Sequence, residues 1–378
     1  MRVAIDAREL QGRPTGVGRY LAGILDQWAT LPAASSHDFL LFAPGPIDSA
    51  LTRGGRASTV VTGGSGTWWE QRALPRLVRQ TNADVLFAPG YTAPLLCRAP
   101  IVVAIHDVSF AAHPEWFTRR EGLRRRTLTR LAAMRAARVL TISEFSKREI
   151  AVRLGIRADK IDVIYPGVAP LAVGRATAPH RAGAAGTPAS GSPARTQQGS
   201  RHTVLYVGSL FNRRHIPELI EGFARLARTN TDVRLEIVGD NRTGPRVDID
   251  SLAAASGAGD RIALRSYIPD SELSELYGRA RAFVFLSEYE GFGLTPLEAL
   301  GAGIPIVVLD TPVAREIYGS AALYVERPEP GLIEAALERI LGDEAERGRI
   351  LTAATDTLAR YSWRTCAEQV LDVLTTNA

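Results

Sequence analysis

Hydrophobic and polar positions along this chain follow two rhythms, and the switches between them mark its elements. Short runs of Val, Ile, Leu and Phe predict strands at 3–5, 39–42, 85–87, 102–105, 139–142 and 161–164. Between them, apolar residues three and four apart predict helices near 17–28, 68–79, 119–137 and 145–153. The alternation restarts at 203–207, with further strands at 235–238, 262–264, 282–286, 304–308 and 323–325. Helices are expected at 217–227, 271–278, 295–301, 331–341, 344–358 and 363–374. Strand–helix alternation in both halves predicts an α/β protein with parallel sheets.

Residues 170–201 interrupt this pattern. Ala, Gly, Pro, Ser, Thr and Arg dominate there, and large apolar side chains are almost missing. Such a segment cannot bury a core, so it reads as a flexible linker or insertion. The chain is thereby divided into a first domain, 1–169, the segment 170–201, a second domain, 202–361, and a closing helix, 362–378. A length of 378 residues agrees, being long for a single core. Hydrophobic content of 46% and charged content of 22% place the chain among ordinary globular proteins. Cys97 and Cys366 offer neither a disulfide framework nor metal-ligand spacing, which fits a reducing compartment. No apolar run approaches a membrane span, and the first residues enter a strand at once, so the expectation is a cytoplasmic protein without a signal peptide.

The net charge of +5 is carried mostly by arginine. Arg119, Arg120, Arg124, Arg125, Arg126, Arg130, Arg135 and Arg138 interleave with Phe117, Leu123, Leu128, Leu131 and Met134. This is the pattern of a basic amphipathic helix, which either rests on an anionic membrane surface or is simply a solvated face. No signature of a nucleic-acid-binding fold accompanies it, so nucleic acid is not an expected partner.

The densest chemistry lies at Glu290-Gly291-Phe292-Gly293-Leu294-Thr295-Pro296-Leu297-Glu298, between the apolar run 282–286 and a helical stretch. Glycines let the backbone approach a ligand, and a helix N-terminus offers unpaired N–H groups. Carboxylates flanking those amides suit a polyhydroxylated anion such as a nucleotide sugar. A structural reading also exists: Thr295 to Glu298 has the capping-box pattern with Pro296 at the first helical position. It leaves Glu290, Gly291 and Gly293 unexplained.

Two glutamates separated by seven residues around Gly-Phe-Gly, then Pro-Leu-Glu-Ala, resemble the signature of the retaining glycosyltransferases of family four. Trp68-Trp69-Glu70-Gln71 and His106-Asp107 are similar to segments of its mannosyl and rhamnosyl transferases of bacterial surface polysaccharide synthesis. The resemblance implies a GT-B fold, two doubly wound Rossmann-like domains facing a cleft, with the last helix crossing back to the first domain. It also implies a nucleoside diphosphate sugar donor, retention of configuration, no metal cofactor, and a glycan or polyprenyl-linked glycan acceptor. With the basic helix, it suggests work at the inner face of the plasma membrane.

On the same resemblance Glu298 would bind the ribose, and Glu290 with the backbone of Gly291, Phe292, Gly293 and Leu294 would hold the donor sugar. Arg213 and Arg214, after Gly208, match a family Arg-Lys pair that neutralises the diphosphate. Taken alone, a glycine turn leading to two cations at a strand end suits a diphosphate or is an exposed basic loop. Arginine in the second place keeps the charge and changes the geometry. His106 matches a histidine that contacts the transferred sugar, although a His-Asp pair at a strand end is structural as often as functional. Gly16 and Gly18 resemble the loop approaching the donor, with Arg19 near the acceptor; a dinucleotide fingerprint needs a third glycine where Leu21 stands. Ile268 falls where the family's backbone meets the base. Ser143 and Ser146 read as helix-start residues, with Ser146-x-x-Glu149 a capping box. Asp248-Ile249-Asp250 spells a metal triplet of another transferase fold, but in a polar loop where metal binding is not expected. The competing readings are a non-catalytic sugar-nucleotide-binding protein and a nicotinamide-dependent dehydrogenase.

Overall fold

Strands whose residues are apolar without interruption need cover on both faces, and the computed structural model of the protein shows that cover. It describes residues 1–12, 16–48, 57–168 and 202–378. In the first half, β1 (Arg2–Asp6), β2 (Asp38–Ala43), β3 (Ala57–Val61), β4 (Val85–Ala88), β5 (Ile101–Ala104), β6 (Arg138–Thr141) and β7 (Ile161–Val163) form one sheet, in the order β3-β2-β1-β4-β5-β6-β7. In the second, β8 (His202–Val207), β9 (Val233–Val238), β10 (Ile262–Arg265), β11 (Ala282–Phe285), β12 (Ile306–Leu309) and β13 (Leu323–Val325) run β10-β9-β8-β11-β12-β13. Every strand pair in both sheets is parallel. The central strands β4, β5, β11 and β12 bury every residue. This is the GT-B arrangement of two doubly wound sheets.

Several elements depart from expectation, among them the helix Pro312–Tyr318, which no apolar period announced. Strand β3 lies at the sheet edge with its residues largely exposed, so Ser58 and Thr59 replace the apolar run that would have announced it. The helix expected at 68–79 is not uniform: a π-helical turn, Trp69–Ala73, separates short α-helical pieces. The polar stretch around Asp248 opens a helix, Ile249–Ala255, whose first turn is capped by the Asp248 carboxylate accepting from the Ser251 amide at 3.0 Å. A cap is thus what the Asp-Ile-Asp triplet supplies.

The segment 170–201 lies outside the described residues. The last helix, Trp363–Thr376, lies on the helix Gly16–Trp28 of the first half. There the Trp28 indole N–H donates to the Ala367 carbonyl at 2.9 Å. Gly23 has no side chain because the Trp363 ring occupies its place, 2.7 Å from where a Cβ would stand.

Candidate active site

In each sheet the strand order reverses between neighbours that are not consecutive, β1 and β4 in the first, β8 and β11 in the second. Connections leave such a pair on opposite faces and open a crevice at the carboxyl ends. The loops after β8 and β11 carry Gly208 to Arg214 and Glu290 to Gly293, and those after β1, β4 and β5 carry Gly16, Pro89 to Tyr91 and His106. Topology therefore gathers residues far apart in sequence around one cleft.

On the second-domain side, Arg214 and Glu290 form a nearly buried ion pair. Arg214 Nε and Nη2 both donate to Glu290 Oε1, at 3.0 and 2.8 Å, and Ser287 Oγ donates to the same oxygen at 2.8 Å. Arg214 Nη1 reaches the Ser209 carbonyl at 2.8 Å, and the guanidinium stacks over Phe285. Burial opposes the Arg214 charge, but Glu290 and Tyr206 outweigh it and hold the group more firmly protonated than usual. Gly208 is required here by space: a Cβ would lie 2.8 Å from Arg214 Nη1, on a backbone with φ of 148°. Arg213 is held differently. Its guanidinium lies 4.3 Å from the Phe211 ring centroid and 5.5 Å from that of Trp116, and its buried Nε has no hydrogen-bond partner among the described residues.

The helix Leu294–Gly301 begins earlier than the capping-box reading requires. Gly293, with φ of 91°, turns the chain into it, so Thr295 is already inside the first turn and cannot cap it. Glu298, buried in the second domain, instead pairs with the Arg19 guanidinium of the first-domain helix. Gly293 also lacks room for a side chain, its missing Cβ falling 2.1 Å from the Tyr318 hydroxyl. Phe292 turns its ring against Tyr361, 5.1 Å between centroids, so only its backbone is left for a ligand. Leu294 is half-buried at the helix start, and Ile268 is buried in the second-domain core.

On the first-domain side, His106 is buried, with Nε2 2.9 Å from the Pro89 carbonyl oxygen. A carbonyl only accepts, so Nε2 carries the proton, and in the neutral ring Nδ1 is an acceptor. Burial pushes the imidazole pKa down, against the Pro89 carbonyl and Asp107, so the ring is neutral at pH 7. Tyr20 packs edge-on to it. Gly16 starts the first helix, Gly18 is buried within it, and residues 13–15 lie outside the described residues.

The two sides meet directly. A Cβ on Gly291 would fall 2.2 Å from the His106 carbonyl oxygen, so this glycine lets the loop after β11 touch the first domain. Ser143 Oγ donates to the Gly291 carbonyl at 2.7 Å while accepting from the Ser146 amide. Ser143, and not Ser146, therefore caps the helix Glu144–Leu154; Ser146 Oγ donates to the His106 carbonyl at 2.9 Å.

Several site residues carried no sequence motif. Tyr91 adopts φ of 68°, a left-handed backbone costly for an aromatic residue, and its hydroxyl donates to Asp107 at 2.8 Å. Tyr289, between Glu288 and Glu290 in the loop after β11, inserts its ring between His113 and Phe145 of the first domain. Glu316 reaches back to accept from the amides of Glu144 and Phe145 at 2.7 and 2.8 Å. Beneath the first-domain loop, Arg8 bridges buried Asp6 and Glu70. Positive φ at a non-glycine, and a buried acid in an amphipathic helix, are signals that only coordinates expose.

Two family models match the chain in succession: Glycosyltransferase Family 4 over residues 14–170, and Glycosyl transferases group 1 over residues 193–357. O-antigen chain mannosyltransferase B of Escherichia coli is 27% identical over 275 residues, 72% of this chain and 69% of its own. The GDP-mannose:cellobiosyl-diphosphopolyprenol alpha-mannosyltransferase of Xanthomonas campestris is 27% identical over 285 residues, 72% of this chain and 67% of its own. Among solved structures, Anabaena HepE in complex with UDP-glucose superposes with a TM-score of 0.74 at 19% identity, covering 100% of both chains.

Proposed function

Because the chain belongs to the family 4 glycosyltransferases, we propose that it moves a hexosyl group from a nucleoside diphosphate sugar to a glycan or polyprenyl-linked glycan, with retention, in bacterial surface polysaccharide synthesis. The observation that carries this reading is the Glu290–Arg214 pair and Arg213 at the second switch point, with His106 across the cleft. Mannose is the favoured sugar, since the two relatives above are mannosyltransferases.

Each group has chemistry suited to that role. Glu298 offers carboxylate oxygens to ribose hydroxyls, with Arg19 moving aside or sharing them. On Glu290, the three donors converge on Oε1, so Oε2 is the oxygen left to accept from a sugar hydroxyl. His106 Nδ1 accepts from another. Arg213 and Arg214 stabilise the negative charge that develops on the leaving diphosphate, in the place a metal ion would otherwise take. Retention would follow from front-face attack, with the departing phosphate taking the acceptor proton. If the arginines suffice, chelation of divalent cations leaves turnover unchanged.

The acceptor side is proposed to lie against anionic lipid. The helix Arg119–Arg135 leaves Leu123, Leu131 and Met134 exposed among its arginines, and no helix of the described residues is long and apolar enough to cross a membrane. Sedimentation with phosphatidylglycerol vesicles, weakened by salt, is the expected result; equal binding to neutral vesicles would contradict it.

The central test is a thermal-shift panel of GDP-mannose, UDP-glucose, UDP-galactose, dTDP-rhamnose and UDP-N-acetylglucosamine. A ligand that binds only the folded chain raises its melting temperature. One hit is expected, lost in Glu298→Ala. No shift with any donor would sink the reading.

A further inference from the structure

The two adjacent arginines do not have equal freedom. Arg214 is committed to Glu290 Oε1 and the Ser209 carbonyl. Arg213 makes no ion pair and no side-chain hydrogen bond among the described residues, and its Nε is buried without a partner. A guanidinium cannot lose its proton, and a buried N–H with no acceptor is costly, so the group is arranged for an anion that arrives later. What holds it meanwhile is aromatic. Phe211 of its own loop lies 4.3 Å from Arg213 Cζ, and Trp116 lies 5.5 Å away. Both fall within the range in which a ring quadrupole attracts a cation.

Trp116 comes from the opposite domain. It ends the short turn Pro114–Trp116 that follows β5 and His106, and it is braced by His113, stacked at 3.9 Å with 9° between planes. Tyr289 of the donor loop packs edge-on to the same stack, 5.2 Å from His113 and 6.3 Å from Trp116. Both loops that would grip the donor therefore rest on one aromatic ledge of the first domain. The Arg213 backbone is tied to that donor loop as well, its carbonyl accepting from the Glu288 amide at 2.9 Å.

We propose that Trp116 is a positioning residue for the donor diphosphate: in the closed cleft its indole holds the Arg213 guanidinium beside Phe211 and so aims the uncommitted cation at the leaving group. The inference rests on the nucleotide-sugar reading above. It adds that the first domain acts on the diphosphate without touching it, through a cation–π contact that exists only when the cleft is shut. Closure and charge stabilisation are then one event.

The test is calorimetric binding of GDP and UDP, and of the matching monophosphates, to the full chain and to Trp116→Leu, Trp116→Phe, Arg213→Ala and Trp116→Leu/Arg213→Ala. Leucine keeps an apolar side chain and removes the π face; phenylalanine keeps a weaker one. The preference for diphosphate over monophosphate should fall about fivefold in Trp116→Leu and recover to within about twofold in Trp116→Phe. In the double variant the loss should equal that of Arg213→Ala alone, because Trp116 acts through Arg213. Equal losses of mono- and diphosphate binding, or additive losses in the double variant, would overturn the assignment and leave Trp116 a packing residue. Thermal melts identify a variant that is merely unfolded; if Trp116→Leu is one, Trp116→Phe decides together with Trp116→Phe/Arg213→Ala: a ratio lowered by up to about twofold only while Arg213 is present supports the assignment, and an unchanged ratio, or a further loss on top of Arg213→Ala, overturns it. Failure of the unaltered chain to bind either diphosphate would remove the nucleotide-sugar reading itself, an outcome distinct from bound nucleotide with unresponsive variants.

Discussion

His106 and His215 show how one residue type answers its surroundings in opposite directions. Burial lowers the His106 pKa, with Nε2–H facing a carbonyl. His215 is half-buried, and Glu218 and Glu288 flank it and raise its pKa. In the unfolded chain both titrate near 6.5. As pH falls below that, the unfolded state takes a proton that folded His106 refuses, so its contribution is lost in acid. His215 behaves conversely: its stabilisation is complete below the unfolded pKa and fades as pH rises through its raised folded value. Denaturant titrations at pH 7.5 and 5.5 should show less acid destabilisation in His106→Gln than in the unaltered chain, and more in His215→Gln. Parallel slopes in all three would refute the assignment.

At the level of elements, helix starts do double duty. Ser143 caps the helix Glu144–Leu154 through the Ser146 amide and also donates to the Gly291 carbonyl of the other domain. Ser362 caps the last helix through the Thr365 amide at 3.3 Å. Removing an N-cap hydroxyl costs about 1 kcal/mol, so Ser362→Ala should lose about that much. Ser143→Ala should lose about 2 kcal/mol, the excess being the cross-cleft hydrogen bond. Equal losses by chemical denaturation would mean that this bond contributes nothing. The capping-box pattern at Thr295 shows the limit of such motifs. Gly293 takes the left-handed conformation and starts the helix early, which frees the Glu298 carboxylate to face Arg19.

Across the whole molecule, the cleft is shut by contacts that leave no room for extra atoms. The Gly291 backbone lies against the His106 carbonyl, and Glu316 places a carboxylate on the amides opening the helix Glu144–Leu154, where the helix dipole favours negative charge. Tyr165 adds a third hydrogen bond to Glu316, at 3.0 Å. Gly291→Ala would put a methyl group 2.2 Å from a backbone oxygen that cannot swing away. Small-angle scattering should therefore show a larger radius of gyration for Gly291→Ala, with turnover falling at least tenfold if closure assembles the site. An unchanged radius with unchanged turnover would mean that the loop yields instead.

Most strands were legible because central strands of covered sheets are continuously apolar, as 85–87 and 282–286 are, whereas the edge strand β3 has no such run. The glycine–glutamate stretch at 290–298 was legible for a related reason: close backbone approach needs glycine whatever the surroundings, so a local constraint leaves a local trace. By itself the sequence determined the α/β class, the family resemblance and the identities of Glu290, Glu298, Arg213, Arg214 and His106 as candidates. Only the tertiary structure decided that Arg214 belongs to Glu290 while Arg213 rests on Trp116, and that Glu298 answers Arg19. The physical reason is that pairing energies depend on distances across the cleft, between residues separated by 97 and 279 positions for the last two contacts. No periodicity or spacing along the chain encodes those distances.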